Sequence, residues 1–294
     1  MKSAETFQVD LNSLCLRISR SENLPVLPTV LIQILRIYED PNVSPRSLEK
    51  VIEQDPALTA KILRVAGSSL YGAKSATSVG RALSVLGMNT LRSIAVSLAY
   101  QQILAQRNVG ADFDRMALWR HCLAVGVGAK AVAKQIAPSL MEEMYVTGLM
   151  HDIGILTLDR FMPNDLTVVI RKAQAQKTNL CDAELQTLGF THAEVGGFLA
   201  EKWKLSQPLI DAVRYHHNPE EDMNNAQTTG IVAAANYLAY KAGYPCMPGI
   251  DGDPNGEMHL EALGMTQDQT DMVLSMIMVE VDQSDTTYGS QRAA

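Results

Sequence analysis

Apolar residues recur along this chain at intervals of three and four, the spacing that gathers one stripe on a helix face. In LPTVLIQILRIYED, Leu27, Val30, Leu31, Ile34 and Leu35 fall on such a stripe. Helix starts are marked as clearly. Ser44 and Pro45, an N-cap with a first-turn proline, open SPRSLEKVIEQ, and Asp55 and Pro56 open DPALTAKILRVAG, which Gly67 closes. SVGRALSVLG and MNTLRSIAVSLAYQQILAQ follow as helices, and QRNVGADFD (106 to 114) is a polar, glycine-containing break. Beyond it the pattern predicts a long helix, FDRMALWRHCLAVGVGAKAVAKQIA, ended by Pro138, then LMEEMYVTGLMHDIGILTLDRFM, closed by Pro163. THAEVGGFLAEKW begins with a capping box (Thr191 and Glu194), SQPLIDAVRYHHNP runs from Ser206 to Pro219, and TTGIVAAANYLAYKAG is a further apolar helix. YPCMPGIDGDPNGE is a loop before a last helix near 266 to 280 and a frayed tail.

No segment sustains the two-residue alternation of a strand, and aromatics are only 5%. The expected fold is therefore all-α: a two-lobed helical bundle, with an N-terminal helical lobe over 24–105 packed on a second over 113–242. Residues 243–294 supply a loop, a C-terminal helix and the tail.

Composition narrows the setting. With 294 residues, 47% of them hydrophobic, the chain can bury a large core. It has no run of ~18 uninterrupted apolar residues, so no membrane span is expected. MKSAETFQVDLNS lacks the apolar stretch of a secretory signal. Cys15, Cys122, Cys181 and Cys246 lie far apart with no CxxC pair, as free thiols of a cytoplasmic protein do. A net charge of -7 argues against nonspecific nucleic-acid binding. SLEKVIEQDPALTAKILRVAG can be drawn as two helices around a turn, but no Arg/Lys cluster with stacking aromatics accompanies it. Arg64, Lys74, Arg81 and Arg92 are read as solvated surface or an anion patch. Met272, Met276 and Val279, on one face of the last helix, are read as core or as a homo-oligomer contact.

The candidate chemistry lies in the histidines. Five of the six, His121, His151, His192, His216 and His217, fall in the second lobe, and Asp152 directly follows His151. Imidazole nitrogens and carboxylate oxygens are the donors that borderline and hard divalent metals accept. Several helices each offering one such donor is how helical metalloproteins assemble a centre. Each residue also has a plainer reading. His121 fits a hydrogen-bonded core residue. His192, just past a helix N-cap, is expected to stay neutral. His216 and His217 fit a helix C-terminal cap. His259 stands outside the set and is expected to be exposed. Asp152 is the only carboxylate among the candidates.

His121, His151-Asp152 and the surrounding TGLMHDIGIL resemble the HD superfamily of metal-dependent phosphohydrolases. LPVLPTVLIQILRIYEDPNVS, IEQDPALTAKILRVAGSSLYG and ATSVGRALSVLGMNTLRSIAV resemble the HDOD domain, a bacterial signalling module. LWRHCLAVG, GFTHAEVGGFLAEKWKLSQPLIDAVRYHHNP and IVAAANYLA are similar to its later blocks, so the resemblance spans 24–242. It implies an HD-like second lobe and a divalent metal (Fe, Mn, Zn or Mg) held by His121, His151, Asp152, His192, His216 and His217. It also implies metal-assisted phosphoester hydrolysis in catalytic relatives.

Three departures weaken that implication. Ile155 stands where the cyclic-dinucleotide phosphodiesterases have the lysine of HDxGK. Asn236 stands where the relatives have a distant aspartate. LTLDRFMPNDL replaces the GYP block. The expected role is accordingly a noncatalytic HDOD regulatory module that binds a signalling protein or small ligand, with a degenerate metal-dependent phosphohydrolase as the alternative.

Overall fold

The computed structural model describes residues 10–21, 28–37, 43–68, 71–72, 76–104 and 113–287, and among them the regular structure is entirely helical. The first lobe contains α1 (Leu11–Arg20), α2 (Thr29–Ile37), α3 (Pro45–Ile52), α4 (Pro56–Ala66), α5 (Val79–Leu86) and α6 (Met88–Leu104). The helix starts are those the sequence marks. The Ser44 hydroxyl accepts from the Ser47 amide, and the Asp55 carboxylate accepts from the amides of Ala57 and Leu58. Each stripe buries its apolar members: Leu31 and Ile34 from α2, Leu48 and Ile52 from α3, Leu58 and Ile62 from α4, Leu91 and Ile94 from α6.

The second lobe comprises α7 (Arg115–Ile136), α8 (Met141–Met150), α9 (Ile153–Phe161), α10 (Pro163–Gln176), α11 (Leu180–Thr187), α12 (His192–Lys202), α13 (Gln207–Tyr215) and α14 (Ala226–Lys241). A C-terminal part adds α15 (Gly256–Ala262) and α16 (Gln267–Thr287). Helix α7 is the axis of the molecule, packing against α8, α14 and α16. Its approach to α8 depends on absent side chains: a Cβ on Gly148 would stand 2.7 Å from the Val125 carbonyl oxygen.

The lobes join through one continuous apolar core. The hydroxyls of Ser97 and Tyr145 lie 2.7 Å apart across α6 and α8, and Arg36 donates to the Trp203 carbonyl (2.8 Å). The expected boundary at 106 to 114 falls mostly outside the described residues.

The structure departs from the sequence expectation in several places. The helix expected to run unbroken from 140 to 162 ends at Met150 and restarts at Ile153, leaving His151 and Asp152 at the junction. Pro163, read as a stop, is also the first residue of α10, where proline costs no intrahelical hydrogen bond. Helices α1, α10, α11 and α15 were not anticipated.

Two surface readings also change. Arg92 is 5% exposed, while Arg64 and Arg81 are exposed and Lys74 lies outside the described residues. In α16 the buried core residues are Val273, Ile277 and Val281; Met276 packs against the core as read, while Met272 and Val279 face outward.

Candidate metal centre

The break between α8 and α9 turns His151 and Asp152 into the interior, 0% and 3% exposed. Helix α9 reaches α12 at Gly154, where a Cβ would meet the His192 carbonyl oxygen at 1.8 Å. Only a glycine permits this contact, which brings the Asp152 carboxylate beside the start of α12. From α7 comes His121, and from the end of α13 come His216 and His217.

Asp152 is the hub. Its Oδ2 lies 3.3 Å from His151 Nε2 and 3.5 Å from His121 Nε2; its Oδ1 lies 3.1 Å from His192 Nε2 and 3.6 Å from His216 Nε2. His217 Nε2 is 3.2 Å from His192 Nε2. All six residues proposed from sequence are thus gathered. They form two donor groups that share Asp152: His121 and His151 on one side, His192, His216 and His217 on the other, the donor atoms of each group within 4.8 Å of one another. His217 is half-buried; the others are buried.

What surrounds the rings fixes their tautomers. His121 Nδ1 donates to the Tyr244 carbonyl (2.8 Å), His151 Nδ1 to the Gly148 carbonyl (2.7 Å) and His216 Nδ1 to the Val213 carbonyl (2.9 Å). A carbonyl can only accept, so these Nδ1 atoms carry protons, and in the neutral rings the Nε2 lone pairs face inward. His192 Nδ1 likewise meets the Glu184 carboxylate at 2.8 Å. The Nε2 atoms of His121 and His151 stand 3.3 Å apart, and His216 Nε2 and Asn236 Oδ1 are buried without a hydrogen-bond partner. Lone pairs facing one another across a buried site call for a cation between them.

Donor–donor spacings of 3.1–3.6 Å suit ligands at bond lengths of about 2.0–2.2 Å around one ion. Metal-bound histidines characteristically anchor their other nitrogen on a carbonyl or carboxylate in this way. The residues therefore fit a divalent cation.

The electrostatics carry the same pattern. Burial lowers the pKa of His121 and of His216 to about 4, only partly countered by Asp152. Burial also lowers His217 well below its ordinary value, with His216 and His192 adding to the effect. Burial opposes ionisation of Asp152, but His151, His192 and His216 outweigh it and hold the carboxyl well below its usual range. His192 corrects an expectation: with no cation at the site, burial favours its neutral ring, yet Glu184, Cys181 and Asp152 raise it well above the ordinary value, so a cation bound there would displace its proton. The helix N-terminus is outweighed by two carboxylates touching the ring. A second correction concerns His259, which is 9% exposed and donates from Nε2 to Asp253 (2.8 Å).

Glu184 was not legible in the sequence. It lies on α11, fully buried, and its Oε2 accepts from both the His192 amide (2.9 Å) and the His192 ring. Its position eight residues before His192, in an unassigned stretch, gave no signal. Asn236, by contrast, stands where expected and lines a cavity of about 20 Å³ with His121, Asp152, His192, His217, Tyr240, Asp251 and Asp253. A larger cavity of about 740 Å³ begins at His217, and its charged walls are Asp182, Glu194, Glu221, Asp253 and Arg214.

Comparison with known proteins places this architecture. A crystal structure of an HDOD domain protein of unknown function from Geobacter sulfurreducens superposes with a TM-score of 0.77 at 25% identity, over 94% of this chain and 97% of the other. A protein named as a phosphohydrolase from Shewanella amazonensis SB2B shares the fold (TM-score 0.69, 21% identity, 94% and 96% covered). An uncharacterized protein of Treponema pallidum (strain Nichols) is 28% identical over 211 residues, 69% of this chain, and the match spans 40% of that relative's length. Residues 24–219 match the HDOD domain, two thirds of the sequence, and the chain belongs to the HDOD family.

Proposed function

We propose that this chain is a noncatalytic HDOD signalling module, acting by binding a protein or small ligand, whose second lobe holds a divalent cation at His121, His151, Asp152, His192, His216 and His217. A divalent cation acidifies bound water and polarises phosphoryl oxygens. The observation that carries the noncatalytic reading is the closure of the site. The cavity beside the donors, about 20 Å³, has room for about one water and none for a phosphoester. Ile155, at the lysine position of the phosphodiesterases, is fully buried and offers no cation to a developing phosphate charge. The larger cavity outside has four carboxylates against Arg214, which is itself paired with Glu201 at 3.0 Å. Such walls repel an anionic substrate.

In this reading the protein's residues do the following. Carbonyls of Tyr244, Gly148 and Val213 and the Glu184 carboxylate orient four rings, and Asp152 supplies negative charge to both donor groups. The cation ties α7, α9, α12 and α13 together, so its gain or loss changes the face that α12 and α13 present to a partner. No helix among the described residues is long and apolar enough to cross a membrane.

Purification without an affinity tag, elemental analysis, and assay of bis(p-nitrophenyl) phosphate and cyclic dinucleotides with added Mn²⁺ or Fe²⁺ test this reading. Bound metal without turnover is expected; robust metal-dependent turnover would overturn it. The sharing of Asp152 between two donor groups favours the second reading, a phosphohydrolase with two ions. Absence of metal, with no activity restored by either ion, removes that one.

A further inference from the structure

We propose that Cys181, Glu184 and His192 form a cation site of their own, for a thiophilic divalent ion of the Zn²⁺ class, entered from the cavity of about 740 Å³. It uses none of the other imidazoles, so it stands or falls apart from the cation reading above.

Two helix starts build the site. The Asn179 side chain caps α11 by accepting from the Asp182 amide, and Cys181 and Glu184, three residues apart, share a face of that helix. The capping box of Thr191 and Glu194 fixes the start of α12, whose first residue is His192. One sulfur, one carboxylate oxygen and one ring nitrogen from these three residues lie within 4.8 Å of one another. Among the described residues, Cys181 is the one cysteine in such a donor group.

The buried carboxylate is only half used. Glu184 Oε2 accepts from the His192 amide and meets His192 Nδ1, whereas Oε1 is buried without a hydrogen-bond partner. An unpartnered charged oxygen is costly in the interior, and a cation held between the carboxylate and the Cys181 sulfur supplies what is missing. Thiolate and carboxylate together neutralise a divalent ion, so no net charge is left buried. A thiolate ligand selects Zn²⁺ and softer ions over Mg²⁺ and Mn²⁺. Binding releases the thiol proton and the His192 Nδ1 proton to solvent. The ring keeps its Nε2 proton, which Asp152 accepts at 3.1 Å.

Access differs from that of the Asp152 centre. Cys181 is half-buried and forms part of the wall of the large cavity, where Asp182, Glu194, Glu221 and Asp253 outnumber Arg214. The walls that repel an anionic substrate draw a cation inward. Three donors hold an ion less firmly than six, so this site fills when the ion is supplied rather than during purification.

The test titrates untagged full-length protein with Cd²⁺, a thiophilic stand-in for Zn²⁺, and follows the ultraviolet charge-transfer absorption of a cadmium–thiolate bond. The band is expected in wild type and in Cys15→Ser, which removes the other half-buried thiol, and is expected to vanish in Cys181→Ser. Glu184→Gln should move the midpoint to Cd²⁺ concentrations higher by about tenfold or more. No band in wild type, an undiminished band in Cys181→Ser, or an unmoved midpoint in Glu184→Gln overturns the inference. Where a variant fails to fold, the wild type decides: bound Cd²⁺ must shield Cys181 from N-ethylmaleimide, read by peptide mass spectrometry, and unslowed labelling overturns the site. Protein that carries no metal as purified yet shows the band refutes the cation reading and upholds this one; metal as purified without the band does the reverse.

Discussion

The two lobes solve the problem of burial differently. In the first, helices α2 to α5 each turn one apolar stripe inward, and among its described residues the buried polar side chains are Arg92 and Ser97. In the second, α7, α8 and α14 are buried almost all round, with small residues where they cross, and their interior includes His121, Thr147, His151, Asp152, Glu184, His192, His216 and Asn236. An amphipathic helix needs only its neighbours' apolar faces. A helix buried on every side carries polar groups that must find partners inside, and here five imidazoles gather at Asp152 and Glu184 while His216 Nε2 and Asn236 Oδ1 are left without a hydrogen bond. Stability in the first lobe is therefore spread over many interchangeable contacts, whereas the second concentrates it in a few that are not interchangeable.

The sharpest break of this contrast is Asp152→Ala. It removes the charge shared by both donor groups and leaves imidazole lone pairs facing each other. Metal content by elemental analysis should fall to background, and retained stoichiometric metal would show the donor assignment to be wrong. Ile34→Ala, in the first lobe, should cost about 2–5 kcal/mol in urea unfolding, as buried isoleucine truncations do. Metal per folded molecule should stay at the wild-type level, because α2 packs chiefly on α3 and α6, which contribute no donor. Gly154→Ala reverses that pairing of effects. Its Cβ would collide with backbone, so α9 must retreat from α12 at a cost of about 1–3 kcal/mol, and metal affinity must fall with it as Asp152 leaves His192. Stability loss without affinity loss in Gly154→Ala would uncouple the helix crossing from the centre.

The same contrast explains what was legible. One-stripe helices announce themselves, so α2 to α5 and their caps at Ser44 and Asp55 were readable; α6, α7, α12, α13 and α14, buried more nearly all round, were readable from their length, caps and bounding prolines. The all-α class and the six candidate donors were readable as well, because histidines recurring on separate helices are informative even without coordinates. The break at His151 was not: neither residue of the pair is a helix breaker, and the chain turns there because the cluster uses both side chains. Glu184, Asp253 and His259 were hidden for a related reason. Glu184 meets His192 and Asp253 meets His259 across short connecting segments, and only packing discloses these pairings. Pro163 was ambiguous by nature, since a proline that ends one helix suits the first turn of the next.

The smallest predicted effect is a change in the shape of a pH profile. In chelator-treated protein, His121 and His216 are held near 4 by burial, below the value of about 6.5 that a histidine has in an unfolded chain. Between these values the unfolded chain binds protons that the folded one refuses, so stability rises with pH from about 4 to 6.5 and is lost as pH falls through that window. His192 works in the opposite sense. Its raised value contributes stability that is complete below about 6.5 and declines as pH rises toward the folded value. The melting temperature of the stripped protein should therefore pass through a maximum near neutrality. Ile34→Ala should lower this curve at every pH without reshaping it, since the first lobe buries no histidine. Metal should reshape it, because binding demands neutral rings and strengthens as pH rises, which removes the alkaline decline. A profile that is flat from pH 4 to 8, with and without chelator, would mean that these imidazoles do not govern the second lobe's stability.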